Sequence, residues 1–105
     1  MEMRIKQGDT RHAVKAILKD ASGNALDLTM ATVRFVMATR FGEVLVDREA
    51  TIQNGQVFFA FEAGETDKEG EMKAEFHVTY QDGRKETFPN DGYMKIEIQK
   101  RLGGN

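Results

Sequence analysis

The residues that could do chemistry are few. His12 and His77 are the only imidazoles, and the chain has no cysteine. A zinc site needs three or four ligands, so two histidines without cysteine do not make one. His77 falls on the polar side of an alternating run, where an imidazole reads as a surface residue. Ser22 is the one serine, and it lies in Asp20-Ala21-Ser22-Gly23-Asn24, a run whose composition marks a turn. Serine catalysis would need a base and an orienting acid gathered around that hydroxyl. Nothing in the local sequence supplies them, so no catalytic residue, metal ligand or cofactor is expected.

Carboxylates are more numerous. Glu62, Glu65, Asp67, Glu69 and Glu71 crowd one polar connection, broken only by Lys68. Their spacing does not follow the calcium loop of an EF-hand, which needs a glycine at its sixth position and a closing glutamate. They read as a solvated loop. Asp20, Asn24 and Asp27 form a second oxygen-rich patch that turn chemistry explains as well. The glycines sit singly in turns and none opens a helix, so there is no phosphate cradle.

The remaining candidates are surfaces that bind rather than react. Phe41, Phe58, Phe88 and Tyr93 fall where an aromatic could be exposed, and Arg40 stands beside Phe41. Aromatic side chains and arginine anchor protein partners, and aromatics also stack on sugars. Ile17, Val36 and Phe58 interrupt faces that are otherwise polar, which points to a covered surface. Arg40, Phe41, Phe58, Phe88 and Tyr93 are therefore the candidate partner-binding residues.

The element that must position them is the run 71–80, Glu-Met-Lys-Ala-Glu-Phe-His-Val-Thr-Tyr. Its strict alternation puts Met72, Ala74, Phe76, Val78 and Tyr80 on one face and charged or polar groups on the other, the mark of a half-buried strand. Asp82-Gly83 follows as a hairpin signal. This is read as the central strand. Around it, alternation predicts strands at 1–6, 14–18, 32–39, about 44–46, 50–52, 57–61 and 93–99, with Asn54-Gly55 as a second hairpin turn and Thr87-Phe88-Pro89 as an extended segment ending at proline. Thr29 caps one helical turn or opens a loop, and 62–70 holds one helical turn at a crossover. About eight short strands without a convincing helix predict an all-β, immunoglobulin-like antiparallel β-sandwich.

Composition sets the outer bounds. At 105 residues, the chain reads as one domain over 1–100, with 101–105 as a frayed tail. A net charge of −2 and a pI near 5.7 do not suit a general grip on nucleic acid. No apolar run approaches a helical membrane span. Met1-Glu2-Met3-Arg4 lacks the basic start and apolar core of a signal peptide. The absence of cysteine fits a reducing cytoplasm.

Several stretches together resemble the N-terminal domain of the phage baseplate upper protein family. They are Lys6-Gln7-Gly8-Asp9-Thr10; Leu26-Asp27-Leu28-Thr29 with Val33 to Met37; Val46-Asp47 with Ala50 and Ile52, then Asn54-Gly55-Gln56-Val57; Gly70 to Phe76; Thr79 to Gly83; and Phe88-Pro89-Asn90-Asp91-Gly92-Tyr93 through Ile96 and Ile98. The resemblance implies an immunoglobulin-like sandwich that docks to other tail and baseplate proteins, with a homo-oligomer also expected and no catalysis. It implies a virion tail location after synthesis in the host bacterial cytoplasm. Members of that family often continue into helices, linkers and a trimeric distal region. The receptor-binding role of that region is not carried over here. A carbohydrate-binding or adhesion module is the alternative for the same fold class, with Phe41, Phe88 or Tyr93 as its stacking platform.

Overall fold

The computed structural model describes residues 2–103. Among the described residues, nine strands form two sheets: β1 (Glu2–Lys6), β2 (Ala13–Ala16), β3 (Thr32–Thr39), β4 (Val44–Glu49), β5 (Thr51–Gln53), β6 (Gln56–Ala60), β7 (Gly70–Thr79), β8 (Lys85–Phe88) and β9 (Met94–Gln99). One sheet runs β1-β9-β7-β3-β4, with β8 also on β7; the other runs β2-β6-β5. The chain is an all-β sandwich.

β7 is the central strand. It pairs with the full length of β3, from Thr32 opposite Thr79 to Thr39 opposite Met72. Its other edge is shared: Phe76 to Thr79 pair with β8, and Gly70 to Ala74 pair with β9. β8 and β9 thus lie end to end as one interrupted return strand. Residues 89–93 loop out between them, opposite Glu75.

The alternation becomes burial. Met72, Ala74, Phe76 and Val78 of β7, Val33, Phe35 and Met37 of β3, and Met94, Ile96 and Ile98 of β9 face inward and are buried. Val14, Val57, Phe59 and Phe61 meet them from the other sheet's side. Phe35 stacks on Phe59 with centroids 4.3 Å apart, and Phe76 lies 5.5 Å from Phe35. Such contacts add about 0.5–1.5 kcal/mol per pair beyond the burial itself.

Two particulars differ from the expected antiparallel eight. β1 pairs with β9 in parallel, Glu2 opposite Lys95 through Lys6 opposite Gln99. Alternation alone carries no strand direction, so it could not show this. The return strand also splits in two at Pro89, raising the count. At Ala50 the chain passes from β4 in one sheet to β5 in the other, and the Ala50 amide donates to the Val33 carbonyl at 2.7 Å. Asn54 and Gly55 both take positive φ, 52° and 75°, as a two-residue hairpin turn requires.

Neither suggested helical turn forms among the described residues. Asp27 Oδ1 instead accepts from both the Thr29 amide (2.9 Å) and its hydroxyl (2.6 Å), which satisfies that segment as a side-chain turn. The 62–70 connection is tied down by Glu65, whose carboxylate accepts from Arg48 at 2.8 and 2.9 Å and from the Glu62 amide at 2.7 Å. Arg48 lies 4.3 Å over the Phe59 ring and donates to the Ala60 carbonyl at 2.8 Å. Thr66 is fully buried, its hydroxyl donating to the Asp9 carbonyl at 2.9 Å. At the other end, the Arg101 amide donates to Gln7 Oε1 at 3.1 Å. Residues 104 and 105 of that tail, and Met1 of the first strand, lie outside the described residues.

Phe76→Ala should cost about 3–5 kcal/mol in urea unfolding, because it empties a site at the sheet centre. A loss below about 1 kcal/mol would mean Phe76 does not hold the core. A second expectation concerns acid. The Arg48 hydrogen bonds hold the Glu65 carboxyl below its ordinary value of 4.5, against the opposing effect of its partial burial. A carboxyl lowered in the folded state stabilises above its unfolded value and loses that contribution as pH falls through the folded one. The stability gap between the parent and Glu65→Gln should therefore be full at neutral pH and close below pH 4.5. A pH-independent gap would show that the ion pair is not what anchors the loop.

Candidate functional site

The outer face of the six-stranded sheet carries the candidate site. β3 turns Arg34, Val36 and Ala38 outward. Val36 stands opposite Glu75 of β7 and Asp47 of β4, and Ala38 stands opposite Lys73 and Val44. These neighbours share a face, so an apolar strip of Val36, Ala38 and Val44 lies between charged groups.

Two local structures add aromatic rings to the strip. Beyond β3, the Thr39 hydroxyl accepts from the amides of Phe41 and Glu43 at 3.3 and 3.2 Å and holds the turn. Gly42 takes φ +93°, which suits a residue without a side chain. Phe41 is left 85% exposed, with the Arg40 guanidinium 4.9 Å from its ring. On the other side, the loop at 89–93 brings Tyr93 out beside Glu75. Tyr93 is 52% exposed, with the Lys73 ammonium 5.0 Å from its ring. Val44, 57% exposed, completes the patch.

Val36, Arg40, Phe41, Lys73, Glu75 and Tyr93 line a shallow, open depression of about 330 Å³. Next to it, Glu2, Arg4, Glu71, Lys73, Lys95 and Glu97 line a second one of about 220 Å³. His77 Nε2 lies 3.0 Å from Glu75 Oε1 at the margin. Among the described residues, no three His, Asp or Glu side chains gather as a metal-holding group. The arrangement can pack, stack and pair charges over a broad surface.

Of the residues singled out in the sequence, Arg40, Phe41 and Tyr93 meet here. Two do not. Phe88 faces inward opposite Phe76 and is 6% exposed. The extended segment before proline is the inner half of the return strand, so Phe88 is a core residue and not a binding one. Phe58 is half-buried on the outer face of the other sheet, with the Lys15 ammonium 5.6 Å from its ring. Val44, Lys73 and Glu75 were not singled out. Each sits on the polar or short side of a strand, and only the pairing register places them beside Val36 and Tyr93.

No family model matches the chain, and no curated protein matches it. Among solved structures, CopC from Methylosinus trichosporium OB3b is similar over 98% of this chain and 90% of that chain, with a TM-score of 0.57 and 12% sequence identity. At that identity the likeness is one of fold alone, and it agrees with the all-β sandwich.

Surface and core aromatics should separate cleanly in urea unfolding. Phe41→Ala and Tyr93→Ala are expected to change stability by less than about 0.5 kcal/mol. Phe88→Ala should cost about 3–5 kcal/mol. A comparable loss at Phe41 would mean that its ring belongs to the core.

Proposed function

We propose that this chain is a non-enzymatic assembly module of a phage or prophage tail baseplate. It binds neighbouring tail proteins through the outer face of the six-stranded sheet. The observation that carries the binding surface is the exposed apolar and aromatic patch of Phe41, Val44 and Tyr93. Anchors of this kind surrounded by a polar rim are what protein interfaces use. The flanking cations Arg40 and Lys73 already stack against the two rings, so a partner would meet an ordered surface rather than two free side chains. The tail assignment itself rests on the resemblance of the strand and turn segments to the baseplate upper protein family. It places the working protein in a virion tail, after synthesis in the host cytoplasm.

One observation favours a second reading, a carbohydrate-binding or adhesion module. Phe41 and Tyr93 flank one depression that also holds Arg40 and Glu75, and sugars bind to aromatic rings beside polar groups of this type.

The test is binding of the purified chain to the purified baseplate proteins of a tail encoded beside it, alongside a glycan array. The tail reading expects capture of a baseplate protein by the parent, with binding at least tenfold weaker for Phe41→Ala with Tyr93→Ala, as removal of interface anchors predicts. Glycan binding lost in that same variant, without tail-protein capture, would overturn it in favour of the second reading.

A further inference from the structure

Beyond the aromatic patch, the same face carries a charge pattern of its own. Three adjacent strands, β1, β9 and β7, each carry outward charges of opposite sign at positions i and i+2: Glu2 and Arg4, Lys95 and Glu97, Glu71 and Lys73, with Lys6 on β1 and Glu75 on β7 following on the same face. The register sets them in two rows. Glu2 stands opposite Lys95, which stands opposite Lys73. Arg4 stands opposite Glu97, which stands opposite Glu71. The rows read minus, plus, plus and plus, minus, minus, and each is the negative of the other at every position.

The pattern is poorly suited to an isolated sheet. Like charges directly opposite on neighbouring strands are destabilising, and both Lys73–Lys95 and Glu71–Glu97 are such pairs. Arg4–Glu97, at 3.5 Å, is the one ion pair within 4 Å that these six side chains form among the described residues. All but Glu97 are exposed, and Glu97 is partly so. Successive outward residues on a strand are about 7 Å apart along the backbone, and Lys73 and Glu71 form no ion pair within 4 Å among the described residues.

We propose that two copies of this chain pair face to face over these rows, about a two-fold axis running across the strands midway between them. Such an axis reverses strand direction and exchanges the rows while leaving each strand over its own counterpart. Lys73 then meets Glu71 of the copy, Lys95 meets Glu97, and Glu2 meets Arg4, each twice by symmetry. An interface between identical copies about a two-fold must be self-complementary, and the two rows meet that condition with all six charges. Cross-strand repulsion at Lys73–Lys95 and Glu71–Glu97 is relieved in the same step. Strand-to-strand twist of about 20–25° confines close approach to a few adjacent strands. Phe41 and Val44, on the β3–β4 side, remain at the flank for a different partner.

The experiment is sedimentation equilibrium of the intact chain across a concentration series at low and high salt. The expected result is a dimer at low salt that weakens as salt rises, since exposed pairs are screened within about 10 Å at 0.1 M. Lys73→Glu sets Glu71 against a glutamate of the copy, so dimerisation should fall at least tenfold, as like-charge juxtaposition predicts. Lys73→Glu combined with Glu71→Lys exchanges the two signs within one strand and should restore the dimer. Restoration would be lost if the occupant were any surface other than a second copy. A monomer at every concentration in low salt, or a dimer indifferent to Lys73→Glu, would overturn the proposal. A monomer that still captures a baseplate protein would sink the pairing and leave the tail reading standing. A dimer that captures none would do the reverse.

Discussion

The contact between Phe35 and Phe59 is the constraint on which the rest depends. Phe35 comes from the strand beside the sheet centre and Phe59 from the middle of the three-stranded sheet, and their rings lie 4.3 Å apart. Burying one such side chain is worth about 1.5–3 kcal/mol, and the pair geometry adds to it. Phe61 meets both rings edge-on, with centroids 6.0 and 5.6 Å away. Because the cluster sits inside, the opposite faces of β3 and β7 must point outward. The same alternation that buries Phe35 and Phe76 therefore presents Val36, Lys73 and Glu75 to solvent. The outer surface is a direct consequence of the core.

That outer surface has two parts with different physics. At the β3–β4 side, apolar and aromatic groups stand exposed beside cations, a composition suited to desolvation by a partner. On the β1–β9–β7 side the face is charged in compensating rows, suited to orientation and sensitive to salt. The loop at 89–93 joins them, because interrupting the return strand opposite Glu75 is what brings Tyr93 out beside Lys73. Arg48 and Glu65 act elsewhere, closing the 62–70 connection over the end of the core.

Much of the sandwich was legible in the alternation of side chains. The run 71–80 was readable as the central strand because its period of two is unbroken, and Asn54-Gly55 was readable as a hairpin because both residues accept positive φ. Four things were not legible. Strand direction leaves no trace in alternation, so the parallel β1–β9 pair could not be foreseen. Phe88 is ambiguous in sequence because proline ends its segment, and only its register opposite Phe76 shows it to be core. Arg40, Phe41 and Tyr93 could each be marked as candidates from type and turn position. Their gathering with Val44 and Lys73 depends on pairing between strands far apart in sequence, which local pattern does not encode. The charge rows are hidden for the same reason: each strand shows only its own alternating signs, and the complementarity exists only across the ladder.

The central claim is that the outer face of the six-stranded sheet is the surface this protein uses. Backbone and side-chain NMR shifts, followed as the protein is concentrated and then as a baseplate partner is added, test it most directly. The account predicts shifts at Glu2 to Arg4, Glu71 to Lys73 and Lys95 to Glu97 on concentration, and at Arg40, Phe41, Val44 and Tyr93 on adding the partner. Shifts confined to the opposite face, around Ile17 and Phe58, would contradict it.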